Sequence, residues 1–192
     1  MNHFSTKKYV LVACLAAISY LLMFFSFAVI PMVPWMKIDF ADVPILVGFF
    51  TLGPAGGSLV AVVRSLLYLL VEGVSVASLI GVSTNLLASF AFCLPLYFTL
   101  RKQETKFVAY VKAISLATVS LTFFLSLANW LVITPLYIAV LGLKINMPLA
   151  TMVLAGVVPF NLIKGALVGT IFALVYAKLH AWLGQKASQL SH

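Results

Sequence analysis

This sequence predicts an all-α integral membrane protein with six transmembrane helices, on three observations. The chain is 64% hydrophobic and 8% charged, with a mean hydropathy of +1.16, whereas soluble domains carry about 25% charged residues. Its 192 residues hold about six apolar runs near the ~20 residues that cross a hydrocarbon layer. The 12 lysines and arginines gather at the ends of those runs, so the net charge of +8 is a topology signal and not a nucleic-acid face. Residues 1–192 are expected to form a single membrane domain.

The first helix is expected over residues 8–30, from a run too long for a signal peptide and without a small-residue cleavage pattern. Ala13 and Ala17 stand four apart on it, a spacing that lets another helix approach closely. Pro31 and Pro34 should end it, since proline lacks a backbone donor and disfavours helix at the residue before it. The loop over 31–44 follows and carries Lys37-Ile38-Asp39-Phe40-Ala41-Asp42-Val43-Pro44, with two of the four acidic residues. Lipid cannot satisfy two carboxylates and an ammonium, so this stretch must lie at a membrane surface or fold into a cavity between helices.

Helices over 43–53 and 55–71 should make a hairpin, turned by the breaker cluster Gly53-Pro54-Ala55-Gly56-Gly57. Arg64 falls inside the second of them; its expected partners are the loop carboxylates or Glu72, and snorkelling to the interface is the alternative. Residues 72–83 read as an outer loop into a helix over 79–100, with Asn85 buried in it. The charged stretch 101–106 must be aqueous. A helix over 107–137 would span about 46 Å at 1.5 Å per residue, more than the ~30 Å core, so Pro135 is expected to break it and leave Asn129 and Trp130 just inside the boundary. After a loop with Lys144 and Asn146, a helix over 148–183 should kink at Pro159 and pack closely at Gly165 and Gly169. Six crossings put both termini on the side of Lys7, Lys8, Arg101, Lys102, Lys106, Lys112, Lys178 and Lys186, against Lys37 and Lys144 on the other. Both ends are therefore expected to be cytoplasmic.

The polar residues left inside the membrane need a reason. Asn161 and Lys164, three apart, share one helix face, and a mid-helix lysine costs on the order of 2.5–3.5 kcal/mol to insert. A buried ion pair with Asp39 or Asp42 would offset that cost. Asn129 and Asn161 lie toward the outer side, where the loop with Lys37, Asp39 and Asp42 can close over them, and Trp35, Phe40, Trp130 and Tyr137 add aromatic faces. Such a pocket suits a neutral flat heterocycle with a hydroxylated tail: stacking for the ring, amide hydrogen bonds for its polar edge, lysine or aspartate for hydroxyls. No Ser/His/Asp set or metal-ligand spacing is present, so neither a metal nor a cofactor is expected, and Cys14 and Cys93 read as packing residues. No phosphate loop or inverted repeat supplies energy coupling. A small membrane enzyme using Asp39 and Asp42 as a metal or acid/base pair is the alternative from a different class.

The 37–44 loop, the Gly53-Pro54 turn, Asn129-Trp130 with Thr134-Pro135-Leu136-Tyr137, and Pro159-Phe160-Asn161-Leu162-Ile163-Lys164-Gly165 together resemble the riboflavin-specific substrate-binding subunit (S component) of energy-coupling factor (ECF) transporters. The resemblance covers nearly the whole chain. It implies an S-component bundle in the bacterial cytoplasmic membrane that captures riboflavin from outside. It also implies partners: a transmembrane coupling subunit and two ATP-binding cassette ATPases, docking on the Ala13/Ala17 face. The family's flavin-holding positions fall on Asp39, Asn129, Asn161 and Lys164. A subunit for another vitamin on the same fold remains the alternative within the class.

Overall fold

Thr6–Met23 form the first helix, α1, in a computed structural model that describes residues 6–101, 107–142 and 147–191, with side chains through residue 178. The charged stretch 102–106 and the outer loop with Lys144 and Asn146 lie outside the described residues. Helix α1 stops seven residues short of the expected boundary at Ile30. Phe24 and Phe25 close its end by bonding back three residues to the Leu21 and Leu22 carbonyls, a tightened terminal turn. Then Phe27–Ala28 (β1) pairs antiparallel with Lys37–Ile38 (β2), Phe27 opposite Ile38. This ribbon satisfies backbone groups that a loop inside a membrane protein would otherwise leave unpaired.

Helix α2 runs Asp42–Glu72 and is interrupted only at Gly53, whose φ of 77° is open to glycine alone without strain. The chain reverses there. A β-carbon on Gly48 would lie 3.4 Å from the Gly57 Cα and 3.1 Å from Val60 Cγ2, and one on Gly57 only 2.8 Å from the Phe49 nitrogen; in a straight helix Gly48 and Gly57 would be about 13 Å apart. Pro54 takes the first position of the returning arm, where its missing donor costs nothing. The glycines after it serve close packing and not the turn. The descending arm, 42–52, covers only roughly 16 Å, about half the ~30 Å hydrocarbon core. Asp42, 2% exposed, therefore starts the short arm inside the bundle, and the 24–41 loop dips inward to reach it. Two bonds hold that descent: Ser19 Oγ of α1 donates to the Ala41 carbonyl at 2.6 Å, and the Asp39 carboxylate accepts from the Ala41 N–H at 2.9 Å, a turn closed by an acidic side chain.

Helix α3, Val76–Leu100, begins three residues earlier than expected because Ser75 and Ser78 cap each other's backbone N–H. Helix α4, Phe107–Ala128, passes through a π-helical turn, Asn129–Ile133, into α5, Thr134–Leu141. The expected break at Pro135 is therefore a widening. The short α6, Leu149–Met152, likewise passes through a π-helical turn, Val153–Val157, into α7, Val158–Ser191. A proline ring clashes with the carbonyl four residues back. For Pro135 and Pro159 those residues, Leu131 and Ala155, lie inside the two wide turns, which absorb the clash.

Helix α1 packs on α2, α3 on α4, and α7 on both α2 and α4, around a core that includes Phe49, Phe92, Leu96, Leu121 and Phe172. A smaller apolar cluster pins the loop to α6 and the wide turn after it: Val33 meets Met152, Val153 and Val157, and a β-carbon on Gly156 would stand 2.8 Å from Val33. Gly165 and Gly169 face α4, where added β-carbons would meet Thr118 at 2.6 Å and Ile114 at 2.7 Å. Overpacking costs about 1–3 kcal/mol, so Gly169→Leu is expected to lower the thermal midpoint in detergent; an unchanged midpoint would show that α4 and α7 can part freely. Among the described residues five helical stretches are long and apolar enough to cross a membrane.

Candidate functional site

The 24–41 loop, the inner faces of α1, α2, α3 and α7, and the wide turn at Asn129–Ile133 line a cavity of about 680 Å³, within the range for small-molecule sites. Its charged end is built by three residues. Lys164 Nζ lies 3.6 Å from Asp39 Oδ2 and 3.8 Å from Asp42 Oδ2, the pairing anticipated for a mid-helix lysine. Asp42 sits behind it, outside the cavity wall, with its other oxygen accepting from Ser89 Oγ at 2.6 Å. Its position at the first turn of α2 also gives it the favourable end of the helix dipole.

The two asparagines share one local design. Asn129 Nδ2 donates to the Leu125 carbonyl at 2.8 Å, and Asn161 Nδ2 donates to the Val157 carbonyl at 2.9 Å. Each bond reaches four residues back, at a π-helical turn whose altered pairing leaves backbone acceptors open. The amide planes are thus fixed, and Thr134 Oγ1 further donates to Asn129 Oδ1 at 3.2 Å. Both side chains retain hydrogen-bonding capacity toward the cavity they line.

Of the expected site residues, Lys37, Asp39, Asn129, Asn161 and Lys164 line this one cavity, together with Trp35 and Tyr137. Two others do not. Trp130 is 44% exposed on the outer surface: Asn129 points inward, and a neighbour one position on in a helix turns about 100° away. Phe40 packs against the core with its ring tilted on Phe27 at 6.2 Å, because the turn that aims Asp39 inward sends the next side chain the other way. Ala13 and Ala17 are exposed on α1, while Ala16 is buried against α2. Arg64 is buried and pairs with neither Asp39, Asp42 nor Glu72 among the described residues, so both the expected pairings and snorkelling are corrected.

The sequence reading missed the aromatic and amide wall formed by Tyr20, Phe24, Tyr68, Thr84 and Asn85. Tyr20 carries a buried hydroxyl with no partner among the described residues, and Asn85, expected to be a buried helix residue, faces the cavity. Glu72 stands at the same wall. The arrangement offers stacking faces on one side and a fixed set of donors and acceptors at the other, with no nucleophile–base pair. Among the described residues no three His, Cys, Asp or Glu side chains gather to hold a metal.

Comparison with known proteins agrees with this architecture. The family model described as "ECF transporter, substrate-specific component" matches residues 7–176. The riboflavin transporter FmnP of Bacillus subtilis (strain 168) is 31% identical over 97% of this chain and 98% of that protein. The riboflavin transporter RibU of Staphylococcus aureus (strain TCH60) is 34% identical over 95% of each. A solved structure described as "Structure and mechanism of the S component of a bacterial ECF transporter" superposes with a TM-score of 0.75 at 32% identity, covering 92% of this chain and 97% of that one. These relatives are transport proteins, which removes the enzyme alternative. On the match across nearly its full length, the chain is an integral membrane protein that belongs to the substrate-specific components of ECF transporters.

Proposed function

We propose that this chain binds riboflavin from outside the cell and serves as the substrate-capturing subunit for its uptake, energised by a coupling subunit and two ATPases. The observation that carries the reading is one cavity that joins Asp39, Asn129, Asn161 and Lys164 to the aromatic faces of Tyr20, Trp35, Tyr68 and Tyr137. Rings take the faces of a flat heterocycle, the two fixed amides meet its pyrimidine-like edge, and the charged end serves its hydroxyls. The riboflavin transporters related over almost the whole chain support the same substrate.

In this reading the whole chain is one domain with six crossings of the bacterial cytoplasmic membrane. The two arms of α2 count separately, and both termini are cytoplasmic under the charge asymmetry along the sequence. The cavity then opens outward beneath the 24–41 loop. The exposed Ala13/Ala17 face of α1 is the surface for the coupling subunit.

Purified in detergent, the protein is expected to be yellow or, once stripped, to quench the fluorescence of added riboflavin with saturable stoichiometry near one. A colourless preparation that leaves riboflavin fluorescence untouched overturns the proposal. If another vitamin competes more strongly than riboflavin in the same titration, the substrate assignment moves within the family.

A further inference from the structure

Arg64 is 3% exposed within an apolar bundle. Its Nε has no hydrogen-bond partner among the described residues, and among the same residues its guanidinium makes one hydrogen bond, a long 3.5 Å one from Nη2 to Ser65 Oγ. A buried guanidinium with so little compensation is costly unless an anion is close. The nearby charges do not balance without it. Among the described residues Lys164 alone pairs with both Asp39 and Asp42, one cation for two carboxylates, while Arg64 pairs with none.

The α2 hairpin places the missing partner. Asp42 and Arg64 stand eleven residues on either side of Gly53. Phe49 and Gly57, four residues on either side, are in contact across the arms. From each member of that pair, seven more residues, about two full turns, lead to Asp42 and to Arg64. Both therefore lie at one depth on the facing stripes of the two arms.

We propose that the Asp42 carboxylate is shared between two cations, paired with Lys164 and taken over by Arg64 when a ligand engages Lys164. Arg64 thus acts as a positioning residue. It does not line the cavity. By accepting Asp42 it frees the Lys164 ammonium for ligand hydroxyl or carbonyl oxygens without leaving a carboxylate unpaired in the bundle. Ser89 keeps its bond to the other Asp42 oxygen, so the exchange turns on the Oδ2 side of the carboxylate and on the arginine side chain. The inference rests on the riboflavin reading for its ligand, but the charge exchange is a property of this chain.

The test is a riboflavin titration of wild type, Arg64→Met, Arg64→Lys, Asp42→Asn and the Arg64→Met/Asp42→Asn double variant, with thermal midpoints recorded for each. Arg64→Met is expected to weaken binding roughly tenfold or more, the scale of one lost charged hydrogen bond. Arg64→Lys should stay within a few-fold of wild type. The decisive result is the double variant: with the surplus carboxylate removed, it should bind better than Arg64→Met alone. If Arg64→Met does not fold, the double variant is compared with Asp42→Asn and should match it. Wild-type affinity in Arg64→Met, or losses that simply add in the double variant, overturns the exchange. If wild type itself ignores riboflavin, the substrate reading fails instead, and the midpoints still decide the Arg64–Asp42 coupling: additive shifts overturn it, and non-additive shifts support it.

Discussion

Lys164→Ala should produce the largest loss of any single substitution in the cavity. It removes a ligand donor and strands Asp39 and Asp42, which now face the same ammonium at 3.6 and 3.8 Å. Removing one partner of a buried ion pair costs about 3–5 kcal/mol, and a charged hydrogen bond to ligand about 1.5–3 kcal/mol. A riboflavin titration should show affinity reduced at least about tenfold, and the thermal midpoint should fall as well. Adding Asp42→Asn should restore part of the midpoint, since it relieves the repulsion, yet leave binding weak because the donor is still missing. Unchanged affinity in Lys164→Ala would place the ligand elsewhere.

Ala13→Trp should produce the second large effect, in a different assay. Ala13 and Ala17 face away from the bundle, and small side chains at four-residue spacing let helices approach closely. A tryptophan there fills the approach without touching the cavity. Riboflavin uptake by cells should fall toward background while the purified subunit keeps its affinity. Uptake at the normal rate would move docking to another face, and loss of both would signal damage to the fold.

The charged and amide residues were legible in the sequence because hydrocarbon makes them conspicuous: Asp39, Asn129, Asn161 and Lys164 each needed a reason, and all four meet in one cavity. Tyr20, Tyr68 and Asn85 were not legible as wall residues. Aromatic rings are unremarkable in membrane helices, and which face of a helix turns inward depends on packing that periodicity did not reveal: α1 through α5 are apolar nearly all round. Trp130 and Phe40 misled for the same reason, since their adjacency to Asn129 and Asp39 says nothing about direction. The early end of α1 was hidden because Phe24, Phe25 and Phe27 continue the apolar run while the backbone changes to a ribbon. The half-length descending arm followed from the position of Gly53, but the inward dip of the loop that it requires emerged only from the Ser19–Ala41 bond.

The wide turn at Asn129–Ile133 has a consequence for angular phase. One additional residue per turn rotates everything beyond it by about 100° relative to an unbroken α-helix. Thr134 and Tyr137, both at the cavity wall, lie beyond that offset, so a helical wheel drawn straight through from Phe107 assigns them a different azimuth. Sequence alignments that open or close a single gap between Asn129 and Pro135 are therefore not neutral bookkeeping: each one swings the aromatic side of the pocket toward lipid or back again.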